Sequence, residues 1–144
     1  MSFPNYKYGT GLSNVGSYQV SGKPYLAAVT APASASAGTT VRIEFPSVTK
    51  EITVSTSGVS GKDVRIAFSA LGVKDEVGAY FVVPAAIDGG SVTFNVKATE
   101  LYAMSNGSGT RDLTVFASLT GIPSSRIDNI SPSGSNWSGS SGIG

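Results

Sequence analysis

Apolar and polar residues that alternate with a period of two are the feature that most constrains how this chain can fold. The run 41–45 reads Val-Arg-Ile-Glu-Phe, and the run 51–54 reads Glu-Ile-Thr-Val. This period belongs to a strand with one solvent face and one buried face. Pro46 has no amide hydrogen to give to a sheet, so the first strand should end there. The two runs are predicted to form a hairpin or a corner between two sheets, and we take the hairpin as the template for the fold.

The same alternation recurs along the chain and predicts seven to eight strands. Beyond the hairpin, the predicted strands are an edge strand at 23–30 and alternating strands at 62–69, 91–97 and 111–119. The strand at 91–97 is expected to continue at 100–104. Along 62–69, three apolar side chains are expected to point inward and three polar ones outward: Val64, Ile66 and Phe68 against Asp63, Arg65 and Ser69.

Other segments depart from strict alternation. Residues 77–83 are almost continuously apolar, which predicts a central strand covered on both faces and ended by Pro84. Residues 71–76 are predicted as a charged turn, Ile87–Gly90 as a turn that tolerates positive φ, and Ser105–Gly109 as the tip of a second hairpin.

These elements predict an all-β fold. Many short strands, frequent turn signals and no helical period favour an antiparallel β-sandwich with either a jelly-roll or an immunoglobulin-like strand order. Eight strands with uneven loops favour the jelly-roll. The predicted organisation is an extended N-terminal arm (1–26), a β-sandwich domain (27–123) and a Ser/Gly-rich C-terminal tail (124–144), which should be mobile unless a partner orders it.

Composition excludes several functional classes. The chain has 144 residues and a net charge of +1, and its Lys and Arg residues are spread singly. There is no basic patch for nucleic acid, no apolar run long enough for a membrane span, and no apolar core of a secretory signal near the N-terminus. The chain has no Cys and no His. It is therefore expected to have no zinc site of the usual kind, no Cys nucleophile and no Ser-His-Asp triad.

The acidic residues do not form a predicted catalytic or metal site. They are Glu44, Glu51, Asp63, Asp75, Glu76, Asp88, Glu100, Asp112 and Asp128. Most lie at strand ends or alternate outward with Lys or Arg, which predicts cross-strand ion pairs rather than two carboxylates facing each other or a calcium loop. No phosphate-binding loop is present. We expect no enzymatic activity and no cofactor.

Aromatic residues divide into core and contact candidates. Phe45, Phe68 and Phe94 occupy inward positions, whereas Phe116 is out of phase with its neighbours and is expected on an exposed face. Tyr and Trp combine apolar area with a polar group, which favours interfaces. The candidate protein-interface residues are Tyr6, Tyr8, Leu12, Val15, Tyr18, Val20, Tyr25 and Trp137. The arm could pack on its own domain or reach a neighbouring subunit. Protein contact is favoured over sugar stacking, because these aromatics lie in the terminal segments.

Four segments carry a resemblance to a known family. They are residues 11–26 (GLSNVGSYQVSGKPYL), 43–54 (IEFPSVTKEITV), 94–102 (FNVKATELY) and 117–123 (ASLTGIP). In this order they resemble small virion structural proteins of tailed phages, many of them marine and cyanobacterial. The first segment is the most specific, and the tail after Ser131 has no matching part.

The resemblance implies a capsid-surface decoration (cement) protein, or another minor capsid protein, with a β-sandwich body. Such a protein would be made in the host cytoplasm and bind the major capsid protein and itself, as a homotrimer at three-fold positions. It would bind neither nucleic acid nor membrane. The alternative is a tail-fibre, spike or head-fibre component that recognises a host glycan or receptor through exposed Tyr and Trp.

Overall fold

Eight strands in two antiparallel sheets form the described domain. A computed structural model of the chain describes residues 22–34, 40–56, 63–70, 72–74, 78, 80–85 and 90–126. The strands are β1 (Lys23–Ala31), β2 (Val41–Glu44), β3 (Ser47–Thr56), β4 (Val64–Ala67), β5 (Phe81–Val83), β6 (Ser91–Phe94), β7 (Glu100–Ser105) and β8 (Arg111–Pro123), and a 3₁₀ turn, Ser124–Arg126, follows. The predicted all-β sandwich is confirmed.

The strand order is that of a jelly-roll. The first sheet has the order β1-β8-β3-β6, and the second has the order β2-β7-β4-β5. Strand one pairs with eight, two with seven, three with six and four with five, all antiparallel. The chain is therefore arranged like one long hairpin wrapped around a core, which is the jelly-roll rather than the immunoglobulin-like order.

The hydrophobic core lies between the sheets and is closed at both sides by aromatic rings. The buried apolar residues of this core are Ala31, Ile43, Phe45, Ile52, Val54, Val64, Ile66, Val83, Ala98, Leu101, Ala103, Leu113, Val115, Ala117 and Leu119. Tyr25 meets Phe45 edge-on at 5.3 Å on the β1–β2 side. Phe94 meets Phe68 and Phe81 edge-on on the β5–β6 side. Phe45, Phe68 and Phe94 therefore pack inward, as predicted.

The segment 41–54 is a corner between two sheets, so the corner alternative is confirmed and the hairpin taken as the template is wrong. β2 lies in the second sheet and β3 in the first. At the crossing, the amide of Phe45 donates to the carbonyl of Thr99 at 2.8 Å, and the hydroxyl of Ser47 donates to the carbonyl of Thr120 at 2.8 Å. Partners from distant parts of the chain satisfy these polar groups, and Pro46, which has no amide hydrogen, fits the break between the strands.

Two further predictions, a continuous strand and a second hairpin, are wrong for the same reason. Residues 91–104 were predicted as one continuous strand, but β6 belongs to the first sheet and β7 to the second. Ser105–Gly109 likewise joins β7 to β8 across the sandwich and is not a hairpin tip. Alternation along one strand does not reveal which strand lies beside it, so sheet changes at 45–46, 95–99 and 106–110 are invisible in the pattern.

The prediction of a central strand at 77–83 is also wrong. Of the residues in this range that the structure describes, Phe81–Val83 form a strand, β5, which lies at the edge of the second sheet. Phe81 is 49% exposed. The edge strand predicted at 23–30 is correct, since β1 lies at the edge of the first sheet.

The predicted orientations along β4 hold for its apolar residues only. Val64 and Ile66 are buried and Phe68 packs against the core, as expected. Arg65 and Ser69 were predicted to face solvent, but both are buried. The outer side of β4 is covered by the chain between β4 and β5, which the local pattern does not indicate.

The structure also bears on the predicted segment boundaries. β1 begins at Lys23, so residues 23–26 of the predicted arm belong to the sandwich. At the other end, β8 finishes at Pro123, where the predicted tail begins. The remaining arm, most of the tail and most of the turn at Ile87–Gly90 lie outside the described residues.

Candidate interaction surface

The outer side of the first sheet carries no charged side chain across its middle. Every second residue of a strand points away from the core, and the pairing registers place eight of these outward residues in two adjacent rows. The rows are Leu26, Phe116, Thr53 and Thr93, and Ala28, Thr114, Ser55 and Ser91. We call these eight residues the uncharged face.

The uncharged face consists of methyl groups, hydroxyl groups and one aromatic ring. Leu26 is 68% exposed, and Phe116 beside it is partly exposed, as its phase predicted. The hydroxyls of Thr53 and Thr93 share a hydrogen bond of 2.9 Å. Short side chains have less rotamer freedom to lose than Lys or Arg, whose burial costs about 1.5–2 kcal/mol of side-chain entropy. A partner could therefore cover this face with a small entropic penalty.

Acidic residues border the uncharged face at both ends. Asp112 accepts a hydrogen bond of 2.9 Å from the hydroxyl of Thr30 beyond the second row. Glu51 lies beyond the first row, opposite Ser118. Near Asp112, a pocket of about 250 Å³ is lined by Ala28, Val29, Thr30, Ser55, Thr56, Asp112, Leu113 and Thr114.

The β1 edge of the first sheet differs from the other sheet edges. β1 has nine residues and no charged residue after Lys23. The other edge strands, β2, β5 and β6, have four, three and four residues. Short edges and charged side chains are devices that prevent unwanted pairing with another strand. Among the described strands, β1 pairs with β8 alone, so its other edge is open to a further strand.

The outer side of the second sheet has the opposite character and carries an ion-pair network. Arg42 donates through Nε to Glu100 Oε2 at 2.5 Å and through Nη2 to Glu44 Oε1 at 2.7 Å. Burial works against the charge of Arg42, but the hydrogen bond to Glu100 and its negative charge raise the pKa of Arg42. For Tyr102 on β7, burial raises the pKa of the phenol, and the negative charge of Glu100 raises it further.

A second cationic side chain on this sheet is covered by the chain itself. The guanidinium of Arg65 lies 4.5 Å from the ring centroid of Tyr80, and its Nε donates to Asn106 Oδ1 at 2.7 Å. Next to it, Ala67, Val73 and Met104 form a small apolar cluster on which Tyr80 packs. The aromatic ring and the amide oxygen make burial of the guanidinium possible. Around Arg65, the outer side of the second sheet is therefore covered by the protein's own chain.

Tyr25 is the one predicted interface residue that the structure describes. Its ring is partly buried and packs edge-on against Phe45 at the side of the core. The interface role of Tyr25 stays a prediction. The other seven lie outside the described residues: Tyr6, Tyr8, Leu12, Val15, Tyr18, Val20 and Trp137.

The expected carboxylate pairing is found in part. Arg42 on β2 and Glu100 on β7 form the predicted kind of cross-strand ion pair, although Glu100 is only 1% exposed. Glu44 pairs with Arg42 in solvent, but both residues lie on β2, so this pair is not cross-strand. Within the described ranges, no group of three or more acidic side chains could hold a metal ion. No helix in the described part of the chain has the length and apolarity needed to cross a membrane.

Sequence reasoning singled out only Phe116 from the uncharged face. The signal was present, because the solvent-side positions of β1, β3, β6 and β8 hold Ala, Ser and Thr more often than Lys or Glu. Yet these positions are far apart in the chain, and only the registers of the folded sheet bring them into rows.

No family model matches the chain, and no curated protein matches it. Among solved structures, the chain is similar to a Bacillus protein described in "Bacillus endospore appendages form a novel family of disulfide-linked pili". The identity is 19%, the match covers 76% of this chain and 99% of that chain, and the TM-score is 0.36. A similarity at this level carries no argument about function.

Proposed function

We propose that this chain is a non-enzymatic virion structural protein that decorates the outer surface of a capsid and stabilises the shell. The observation that carries the proposal is the uncharged face, two adjacent rows of outward residues without a charged side chain on one sheet of the β-sandwich. The resemblance of segments 11–26, 43–54, 94–102 and 117–123 to small phage virion proteins supports it. The jelly-roll order is also used by viral capsid domains, although lectins and other proteins share it.

The proposed partner of the uncharged face is the major capsid protein. The cores of protein interfaces are depleted of charged residues and enriched in aromatic ones. Phe116 supplies apolar area in the middle of the face and Leu26 at its β1 rim, and neighbouring hydroxyls provide hydrogen-bonding groups. A copy that binds across neighbouring capsid subunits stabilises their association, because its binding free energy must be overcome before the shell opens.

Binding of purified protein to undecorated capsids tests the proposal. Thr114→Lys puts a charge in the middle of the uncharged face, whereas Ser108→Lys puts the same charge on the exposed β7–β8 connection. We expect Thr114→Lys to weaken capsid binding at least about tenfold, because a buried unpaired charge is costly, and Ser108→Lys to bind normally. Equal binding of both variants would contradict a capsid contact at this face.

Copy number distinguishes a decoration protein from a minor component of the particle. Quantitative mass spectrometry of purified virions should find hundreds of copies if the protein covers the shell. A few copies, or a few tens, would place it in a tail, fibre or portal and would reject decoration.

Deletion of residues 1–21 should also reduce capsid binding while circular dichroism shows an intact β fold, and full occupancy by that variant would separate the arm from capsid binding.

A glycan-binding fibre component is the second candidate, and the pocket beside Asp112 is the observation in its favour. Hydroxyls of Thr30, Ser55 and Thr114 and the carboxylate of Asp112 are groups that could bind sugar hydroxyls. None of the described lining residues is aromatic, however, so no ring is available there for a sugar to stack on. A glycan array probed with the purified protein tests this candidate, and an array without hits would reject it.

A further inference from the structure

We infer that the open edge of β1 is a docking site for residues 1–21 of a second copy of this chain, which add to the first sheet as a further strand. The inference deepens the proposed function and rests on it for its setting, since decorating copies would be linked to one another by this contact. Its physical basis lies in three features: the β1 edge, the composition of residues 1–21 and the backbone at Gly22.

The β1 edge is the one that lacks the usual protection against strand pairing. β2 is short and presents Arg42 and Glu44, and β5 and β6 have three and four residues. β1 runs for nine residues, and from Pro24 to Ala31 it has no charged side chain. Pro24 removes a donor near the start only. Because β1 is antiparallel to β8, every second residue of β1 directs its amide and carbonyl away from β8, toward the open edge. A long uncharged edge is a template for another strand unless a partner covers it.

The composition of residues 1–21 fits such a partner. From Gly9 to Ser21 this segment has no charged residue, and its last residues, Ser-Tyr-Gln-Val-Ser, alternate between large and small or polar side chains. Strand addition supplies main-chain hydrogen bonds, and alternate side chains supply specificity. A side chain on the outer side of the added strand would lie beside Leu26, which is 68% exposed at the rim of the uncharged face.

The backbone at Gly22 argues against a tight return of the segment onto its own β1. A two-residue hairpin at Ser21–Gly22 needs positive φ at both residues in a type I′ turn, or at Ser21 in a type II′ turn. Gly22 does not have positive φ, and a serine rarely takes it. In addition, a Cβ on Gly22 would lie 2.3 Å from the carbonyl oxygen of Leu119, so the chain lies close against the backbone of β8 where it enters β1.

The segment is long enough to reach a neighbour. Twenty-one residues span up to about 70 Å when extended, whereas a domain of this size has a radius of gyration of about 13 Å. The segment can therefore leave its own domain and still lie along the full length of another β1 edge.

Disulfide trapping between copies tests the inference, and the absence of cysteine in the natural chain makes the test specific. One full-length protein carries Ala28→Cys on β1, and a second carries a single cysteine at one of the positions 12–20. A matched acceptor carries Ser91→Cys on β6, the opposite edge of the same sheet. Each acceptor is mixed with each donor under mild oxidation without capsids, and mixed dimers are quantified on non-reducing gels.

We expect mixed dimers with Ala28→Cys to exceed those with Ser91→Cys at least about fivefold, for donor positions that alternate along the segment as strand pairing requires. Equal yields at the two edges would overturn the inference. So would a chain carrying both the Ala28 and the donor cysteines that closes only within itself, because the segment would then occupy its own edge.

Self-association of the purified chain gives a second readout. Leu26→Lys should raise the dissociation constant at least about tenfold, since it exchanges a buried apolar contact for a charge at the docking edge. Ser91→Lys should leave it unchanged. If both variants associate like the natural chain, the copy-to-copy contact is not at β1. Capsid decoration that persists in that case would leave the proposed function intact, because the capsid assay is performed separately.

Discussion

The outer sides of the two sheets are built from similar strands but have opposite chemistry. On the second sheet, Arg42, Glu44 and Glu100 form ion pairs, and Arg65 lies under the ring of Tyr80. On the first sheet, the corresponding area is the uncharged face. Its described side-chain hydrogen bond joins the hydroxyls of Thr53 and Thr93.

The difference shows how one small domain can separate stability from binding. Several outward side chains of the second sheet, among them Arg65, Ala67 and Glu100, are buried by the protein's own chain, so they contribute to folding. Outward side chains of the first sheet contact few other groups, so the fold does not explain why they are uncharged. Under the proposed function, a binding partner is the reason for the lack of charge on this surface.

A lysine introduced on the outer side of each sheet gives the largest expected difference in the free energy of unfolding. Ala67→Lys places an unpaired ammonium at a position that is 2% exposed on the second sheet, and it should lower the free energy of unfolding by about 3–5 kcal/mol. Thr114→Lys, on the exposed uncharged face, should change it by less than about 0.5 kcal/mol. Urea denaturation measures both, and similar losses for the two variants would remove the distinction between the sides.

The ion pair of Arg42 and Glu100 has the next largest effect. Arg42→Ala leaves the carboxylate of Glu100 buried without its partner, and we expect a loss of about 2–3 kcal/mol. This lies below the usual range for a buried pair, because the side chain of Arg42 is 46% exposed and water screens part of the interaction. Glu44→Ala is the matched control, since it removes the exposed partner and should cost less than about 1 kcal/mol. An equal cost for both would mean that burial of Glu100 adds nothing.

The contact of Arg65 with Tyr80 and Asn106 should have an intermediate effect. Arg65→Met keeps an unbranched apolar stem but removes the hydrogen bond and the cation–π contact, so we expect a loss of about 1–3 kcal/mol. Lys50→Met, on an exposed position of β3, should stay within about 0.5 kcal/mol. If thermal and urea unfolding do not separate these two variants, the second sheet does not depend on its covered cation.

The smallest effect is expected from Tyr102 at alkaline pH. Its pKa is raised in the fold, so the folded state favours the neutral phenol. The resulting stability is fully present below the unfolded pKa of 10.0 and is lost as the pH rises through the higher folded value. Above about pH 10, the natural chain should lose stability faster than Tyr102→Phe, by at most about 1.4 kcal/mol per pH unit.

Urea unfolding at about pH 8 and about pH 11 measures this difference. Tyr25→Phe, on the first sheet, corrects for the general effect of removing a phenol. A natural chain and a Tyr102→Phe variant with the same pH dependence would show that the environment of Tyr102 does not favour its neutral form.

Much of the fold could be predicted from alternation alone. The strands predicted at 23–30, 41–45, 51–54, 62–69, 91–97 and 111–119 each overlap an observed strand, because a half-buried strand requires period two regardless of its neighbours. The observed bounds differ, since the strands at 62–69 and 91–97 are shorter than predicted. The candidate site could be predicted only in fragments, such as the exposed phase of Phe116. Pairing partners are not encoded by period, so the sequence did not indicate that Leu26, Phe116, Thr53 and Thr93 lie side by side.

By itself, the sequence determined the class of this protein: all-β, cysteine-free, poor in charge, and with inward positions at Ile43, Phe45, Ile52 and Val54. These properties follow from local pattern and composition. The tertiary structure decided that residues 41–54 form a corner rather than a hairpin and that Arg65 and Glu100 are buried. It also placed β1 at the end of the first sheet, with β8 as its one partner among the described strands. Each of these depends on which strands lie next to each other, and hydrogen bonds between residues far apart in the chain determine that arrangement.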